Sequence, residues 1–290
     1  MPTVNKAMAA NENDRIYDVT MKQDVLCLMM AYPEYIINVE SKNDGKVYLV
    51  MKSGKKLLYD DKRHKSSSEK LSNPDLQDML EPIYPLYPVR SVMEENFDPG
   101  RSRVYELLSE VYGSSRKDIE SKLINLGYPN YQFNSSNKAA ESLKVVMKEL
   151  IPIAKENHSI GNCIFPASGT YNYRLIAGTN QLSPHSYGIA IDLAVNKKDY
   201  WKWSSKADGD KRLSSYPSEI VEVFERNNFI WGGKWGHFDI MHFEYRPEII
   251  LKTRYFKDNK KDTEKAWYDG VPLDDVFIKN SIEKINQELK

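Results

Sequence analysis

The segments Ser183-Pro-His185-Ser-Tyr-Gly188-Ile-Ala-Ile-Asp192-Leu-Ala-Val195 and Trp231-Gly-Gly-Lys-Trp235-Gly-His237-Phe-Asp239-Ile-Met-His242-Phe-Glu244-Tyr245 decide how this chain is read. Ile189 to Val195 alternates, which predicts a strand with Ile189, Ile191, Leu193 and Val195 on one face and Ala190, Asp192 and Ala194 on the other. The first face is apolar and belongs in a core. On the second, one carboxylate stands between two alanines, which leaves room above it. A buried charge without a partner is costly, so Asp192 needs one. His185 lies upstream, beyond Gly188, whose tolerance of positive φ lets the loop fold back towards the strand. A cation shared by His185 and Asp192 satisfies both. Taken singly, each has a plainer reading: Asp192 as a turn cap, His185 as a surface histidine.

The second segment adds the rest of a site. Phe229–Trp231 and Met241–Tyr245 predict further strands, hence a small antiparallel sheet. On the latter, His242 and Glu244 share one face, and Met241, Phe243 and Tyr245 the other. An imidazole on a strand, among aromatics that limit water, is a candidate third ligand. Three protein ligands with one open position is the catalytic zinc arrangement. Asp239 is the candidate base for the water, provided the chain is irregular before the strand; a strand beginning before 239 puts Asp239 and His242 on opposite faces. Glu244 is the rival base, or a partner behind the imidazole, and His237 is the rival ligand.

The whole chain sets bounds on this reading. Its 290 residues are enough for one large domain or two modest ones. Acidic and basic residues balance at 41 each, which gives no electrostatic reason to propose nucleic acid as partner. Nineteen tyrosines and five tryptophans suit carbohydrate or peptide grooves, and equally an ordinary core. Two cysteines, Cys27 and Cys163, make neither a thiolate zinc site nor a disulfide framework and are read as two free thiols. No apolar run approaches the ~18 residues of a membrane helix, and no signal peptide is seen.

In chain order, residues 1–17 are polar and read as loose, and Thr20 to Tyr32 as a short helix stopped by Pro33. Tyr35–Glu40 and Lys46–Lys52 read as a hairpin through Asn43-Asp44-Gly45, followed by a possible third strand, Lys56–Tyr59. Lys62–Lys70 is read as an exposed loop, and the proline-rich stretch to about residue 97 as an extended wrapping segment. Asp98-Pro99 predicts a helix to Tyr112 closed by Gly113, Ser115 caps one over about 116–126, and a third runs from Lys138 to about Asn157, with Pro152 expected to kink or shorten it. These three are read as packing elements. Residues 197–215 read as a polar loop carrying Trp201 and Trp203. Helices are expected over 217–228 and about 273–289, the last with Val276, Phe277, Ile282 and Ile285 inward.

The pattern Ser183, His185, Gly188, Ala190, Asp192 resembles the first signature of the M15 zinc peptidases, the D-alanyl-D-alanine carboxypeptidases, D,D-dipeptidases and L-alanyl-D-glutamate endopeptidases of bacterial and phage cell-wall metabolism. The later Trp-Gly-Gly-x-Trp and Asp239-x-x-His242-Phe243-Glu244 are similar to the second. The resemblance covers about residues 160–250. It implies an α+β fold, a small antiparallel sheet with flanking helices like that of hedgehog and D,D-peptidase domains, with residues 98–290 as catalytic domain and 1–97 as a hairpin-bearing extension without a derived role. It implies one zinc ion on His185, Asp192 and His242, with Asp239 as general base and then proton donor. Tyr171-Asn-Tyr-Arg174 looks like the family segment whose arginine contacts substrate and stabilises the tetrahedral intermediate, and Ser183 is implied to hold substrate. The implied substrate is a peptidoglycan stem peptide, cut by D-alanyl-D-alanine carboxypeptidase activity or, alternatively, at the L-alanyl-D-glutamate bond, in the cell envelope or outside the cell. A third reading is a non-catalytic, zinc-stabilised wall-binding module.

Overall fold

The computed structural model describes residues 2–127, 131–257 and 265–289. In chain order they form α1 (Pro2–Ala31), β1 (Ile36–Ser41), β2 (Val47–Met51), β3 (Lys56–Leu58), α2 (Ser67–Ser72), α3 (Leu76–Leu80), α4 (Tyr105–Tyr112), α5 (Arg116–Ser121), β4 (Leu123–Asn125), β5 (Gln132–Asn134), α6 (Ala139–Glu156), α7 (His158–Ile164), β6 (Ala167–Gly169), β7 (Ala190–Ala194), α8 (Lys206–Ser215), α9 (Ser218–Arg226), β8 (Phe229–Trp231), β9 (His242–Tyr245), α10 (Pro247–Phe256) and α11 (Val276–Glu288). The fold is mixed α and β, with small antiparallel sheets flanked by helices.

The sheet that carries the site has four strands in the order β6-β7-β9-β8, every neighbouring pair antiparallel. Its core face is where alternation puts it: Ile189, Ile191, Leu193 and Phe243 are fully buried. Phe243 stacks on Phe224 of α9 with ring centroids 3.9 Å apart, and on Trp231 at 6.2 Å. Val195 departs from the expected pattern. It lies one residue past the end of β7 and is exposed, because pairing with β9 stops at Asp192 and with β6 at Ala194.

The N-terminal third packs against the C-terminal helices. β1, β2 and β3 form the expected three-stranded antiparallel sheet. α1 packs against α10 and α11, and its buried Met21, Val25, Leu28, Met29 and Tyr32 belong to the same core as Ile250 and Ile285. Residues 2–17, expected to be loose, continue this helix, since propagation onto an already packed segment is cheap compared with nucleation. Buried polar contacts tie the joint: Lys252 on α10 reaches Asp24 on α1 at 2.6 Å and the Leu80 carbonyl at 2.7 Å.

Other departures have local causes. Lys62–Lys70 is not an exposed loop. Lys65 is buried against Asp61, Asp75 and Asp78 at 3.1, 2.8 and 2.5 Å, and Ser66 begins α2 with a capping box. The helix expected from Asp98 begins at Tyr105; residues before it turn through Gly100 (φ +95°), which puts side chains of 98–103 beside the metal cluster. The helix expected to reach 126 ends at Ser121, and β4 begins two residues later at Leu123. α6 runs through Pro152 to Glu156, and Asn157 then caps α7, which was not anticipated. Residues 206–215 of the expected loop form α8, and α10 was likewise unforeseen. On α11 the inward side chains are Ile278, Ile282 and Ile285, while Val276 and Phe277 face solvent. Cys27 and Cys163 are free and buried, as expected.

Candidate metal centre

Asp192 and His242 are directly cross-strand partners on β7 and β9. His185 arrives from a one-turn 3₁₀ helix, Pro184–Tyr187, that ends on Gly188 in the left-handed conformation (φ +67°). A Cβ at 188 would lie 2.6 Å from Leu123 Cδ2, so only glycine lets this turn both reverse and pack. The result brings Nε2 of His185 to 3.2 Å from Oδ1 of Asp192, Nδ1 of His242 to 2.9 Å from the same oxygen, and the two nitrogens to 3.3 Å from each other.

These separations fit a zinc ion. With ligand bonds of about 2.0–2.1 Å, the edges of a tetrahedron are roughly 3.3 Å. The outer contacts also fit. The His185 Nδ1–H donates to the Thr170 carbonyl at 2.6 Å, which leaves Nε2 as a lone pair. Behind His242, Glu244 Oε2 lies 3.6 Å from Nε2, which places the proton there and leaves Nδ1 facing Asp192. Glu244 therefore lies behind the imidazole. It is buried, yet burial is outweighed by the Arg103 guanidinium, which grips it at 2.8 and 2.5 Å and holds it well below the usual carboxylate range, with Arg246 helping at 3.2 Å. The charge balance of the cluster calls for a cation. Burial opposes charge on His242, but hydrogen bonds to Asp192 and Glu244 overcome it and push its pKa up to about 10. Burial likewise raises Asp192, and the flanking imidazoles override it and hold the carboxyl strongly acidic.

The triad opens on a cleft of about 210 Å³ whose lining includes Arg174, Ser183, His185, Asp192, Asp239 and His242. Every site residue proposed from the sequence thus meets in one place. Asp239 is not on the strand: β9 begins at His242, and a turn closed by the His242 N–H on the Asp239 carbonyl (3.1 Å) precedes it. Strand parity therefore does not apply to Asp239. The turn is possible because Gly232 leaves space, as a Cβ there would lie 2.5 Å from the Asp239 carbonyl oxygen. Oδ1 of Asp239 is buried without a hydrogen-bond partner. Burial, followed by the charge of Asp192, outweighs the pull of the imidazoles and raises its carboxyl to about 7.

Arg174 is exposed in the cleft, and its guanidinium meets no carboxylate among the described residues. Its backbone is fixed by Ser186, whose hydroxyl accepts from the Arg174 N–H at 2.8 Å and donates to its carbonyl at 2.7 Å. Ser183 is buried beside it and makes no side-chain cap to the turn. His237 is not in the triad. Its Nδ1–H donates to Asp98 at 2.7 Å and its N–H at 3.0 Å, and Arg101 shares that carboxylate at 2.8 Å. Asp98, Arg101, Arg103, Thr170 and Ser186 were not singled out from the sequence. Arg103 and Glu244 are 141 residues apart, and neither stretch carries a pattern that points to the other.

Comparison with known proteins agrees with this centre. The profile of a family described as D-alanyl-D-alanine carboxypeptidase matches residues 177–245. The peptidoglycan L-alanyl-D-glutamate endopeptidase CwlK of Bacillus subtilis (strain 168) is 42% identical over 67 residues, which are 22% of this chain and 40% of that relative. The chain thus spans less than half the length of the curated relative it matches. No solved structure matches it. Among the described residues no helix is long and apolar enough to cross a membrane. Residues 177–245 are thus similar to M15 zinc peptidases, with a candidate His185–Asp192–His242 zinc-binding triad and homology to a peptidoglycan peptidase.

Proposed function

We propose that this chain is a zinc-dependent peptidase of peptidoglycan stem peptides, acting inside the stem at the L-alanyl-D-glutamate bond, in the envelope or outside the cell. The observation that carries the internal cut is the shape around the cleft. It shares Arg103 and Gln181 with a groove of about 560 Å³, and Trp201 and His237 with another of about 330 Å³. A carboxypeptidase needs an end wall that measures the terminal residue, whereas a cleft bordered by two further grooves suits a longer chain. Identity to an L-alanyl-D-glutamate endopeptidase points the same way. The sequence alone favoured D-alanyl-D-alanine carboxypeptidase, and that is now the second reading. The likeness to D,D-peptidase folds belongs to the same proposal.

His185 Nε2, Asp192 Oδ1 and His242 Nδ1 would hold the zinc. When bound, it supplies a Lewis acid for the scissile carbonyl and acidifies a water to a pKa of about 7. Asp239, which lines this cleft, takes the proton of the attacking water and returns it to the leaving amine. Arg174 donates to the oxyanion that forms on the carbonyl, a task suited to a guanidinium that stays charged and has no internal partner to give up. Ser183 positions the substrate backbone.

The test is mass analysis of defined stem peptides digested by the zinc-loaded protein. New N-terminal D-glutamyl products are expected. Release of free D-alanine alone supports the carboxypeptidase instead, and zinc binding without any cleavage supports a wall-binding module.

A further inference from the structure

The cleft is bordered by a loop in which three of four consecutive residues are aromatic: Tyr200-Trp201-Lys202-Trp203. Tyr200 and Trp201 line the cleft itself. Trp203 packs edge-on against Tyr200, ring centroids 5.0 Å apart, and remains 59% exposed, so much of its indole is open to water next to a residue that lines the cleft. Trp201 forms the ridge between the cleft and the adjoining groove of about 330 Å³, packed edge-on against His237 at 4.6 Å.

This loop is held rigidly. The Trp201 N–H donates to the Phe238 carbonyl at 3.0 Å, the Ile240 N–H to the Asp199 carbonyl at 2.7 Å, and the Trp203 N–H to the Tyr200 carbonyl at 2.9 Å. Asp199 is fully buried and paired with Arg212 at 2.7 Å. A backbone pinned this firmly holds its aromatic faces in place before any ligand arrives, which removes most of the ordering cost of binding. Beyond the Trp201 ridge, the groove offers Glu95, Ser204 and Lys206, and the Ser204 hydroxyl is buried without a partner.

We propose that Trp203, Trp201 and the groove beyond them form a sugar subsite that holds the glycan strand while its peptide lies over the metal centre. A pyranose ring has one face of polarised C–H groups and a rim of hydroxyls and amides. An aromatic face with its negative quadrupole takes the first, and Glu95, Ser204 and Lys206 take the second. A bare peptide has less use for a flat exposed indole beside short polar groups. The proposal rests on peptidoglycan as substrate, but it is read by binding and needs no hydrolysis.

The experiment titrates the zinc-loaded protein, by tryptophan fluorescence and calorimetry, with peptide-free glycan strands and with the N-acetylglucosamine tetramer. Saturable binding is expected, weakened about tenfold in Trp203→Ala. Tyr87→Ala, an exposed aromatic outside this groove, serves as control and should bind like the wild type. Because Trp203 is exposed, the variant should fold, and its circular dichroism checks this. In parallel, the preference for disaccharide-linked over free stem peptide, as a ratio of kcat/KM, should fall in Trp203→Ala. Absence of saturable binding by the wild type, or equal binding by Trp203→Ala, overturns the sugar subsite even if peptides are cleaved. Glycan binding lost in Trp203→Ala, in a protein that cleaves no wall peptide, upholds the subsite and overturns the peptidase.

Discussion

Asp239 shows how a single residue is set for its task by where it sits. Its burial, its unpartnered Oδ1 and the nearby Asp192 disfavour the anion, which raises the carboxyl to about 7. In the proposed mechanism the ionised form is the base, so kcat/KM should fall as pH drops through this pKa. The charge of a bound cation lowers it, so the midpoint should lie at or below about 7, and Asp239→Asn should remove that limb with a loss of roughly 10²–10⁴ in rate while zinc is retained. Stability should move the other way. A carboxyl whose folded pKa is raised above about 3.9 destabilises the fold increasingly as pH rises from the unfolded to the folded pKa, and by a constant amount above it. Zinc-free Asp239→Asn should therefore melt no lower than zinc-free wild type at pH 8. A variant that keeps full activity would remove Asp239 from the mechanism.

At the scale of elements, the site depends on how one short turn meets two strands. β7 and β9 fix Asp192 opposite His242 by register alone. His185 depends on the turn that ends at Gly188, where φ is +67° and Leu123 closes the space a Cβ needs. Gly188→Ala should cost about 1–2 kcal/mol for the left-handed backbone, with more if Leu123 cannot move. Because that turn carries one ligand, zinc affinity should fall as well. Urea unfolding and competitive zinc titration measure the two effects, and unchanged affinity would mean that the turn does not set the ligand. The sequence reading reached this arrangement because alternation and a glycine are local signals. It missed α7, α8 and α10, and misplaced the start of α4, because those boundaries are set by what packs on them and not by composition.

For the molecule as a whole, the metal centre and the core are one structure. From His242 a polar chain runs through Glu244 and Arg246 to Glu248, which Arg246 meets at 2.6 Å, and on to the Tyr32 hydroxyl at 2.7 Å, at the end of α1. The N-terminal segment thus supports the ligand strand from behind. Zinc binding should accordingly be read by global unfolding. Removing zinc with a chelator should abolish hydrolysis and lower stability by about 3 kcal/mol relative to zinc at a hundredfold excess over its Kd, with both restored by added zinc. If the melting temperature is indifferent to chelation and no metal copurifies, the triad is not the site.

By itself, the sequence determined the candidate metal cluster and the strand faces, because His185, Gly188, Asp192 and His242 lie within short segments whose periods and turns are local physics. The tertiary structure alone decided that Arg103 would hold Glu244, that Asp98 would draw His237 away from the metal, and that Lys65 would be buried. It also decided that the cleft would be bordered by grooves lined in part by residues among 57–75 and 92–95. Each of these rests on charges or surfaces far apart in the chain, and their pairing costs and gains exist only once the core has brought them together.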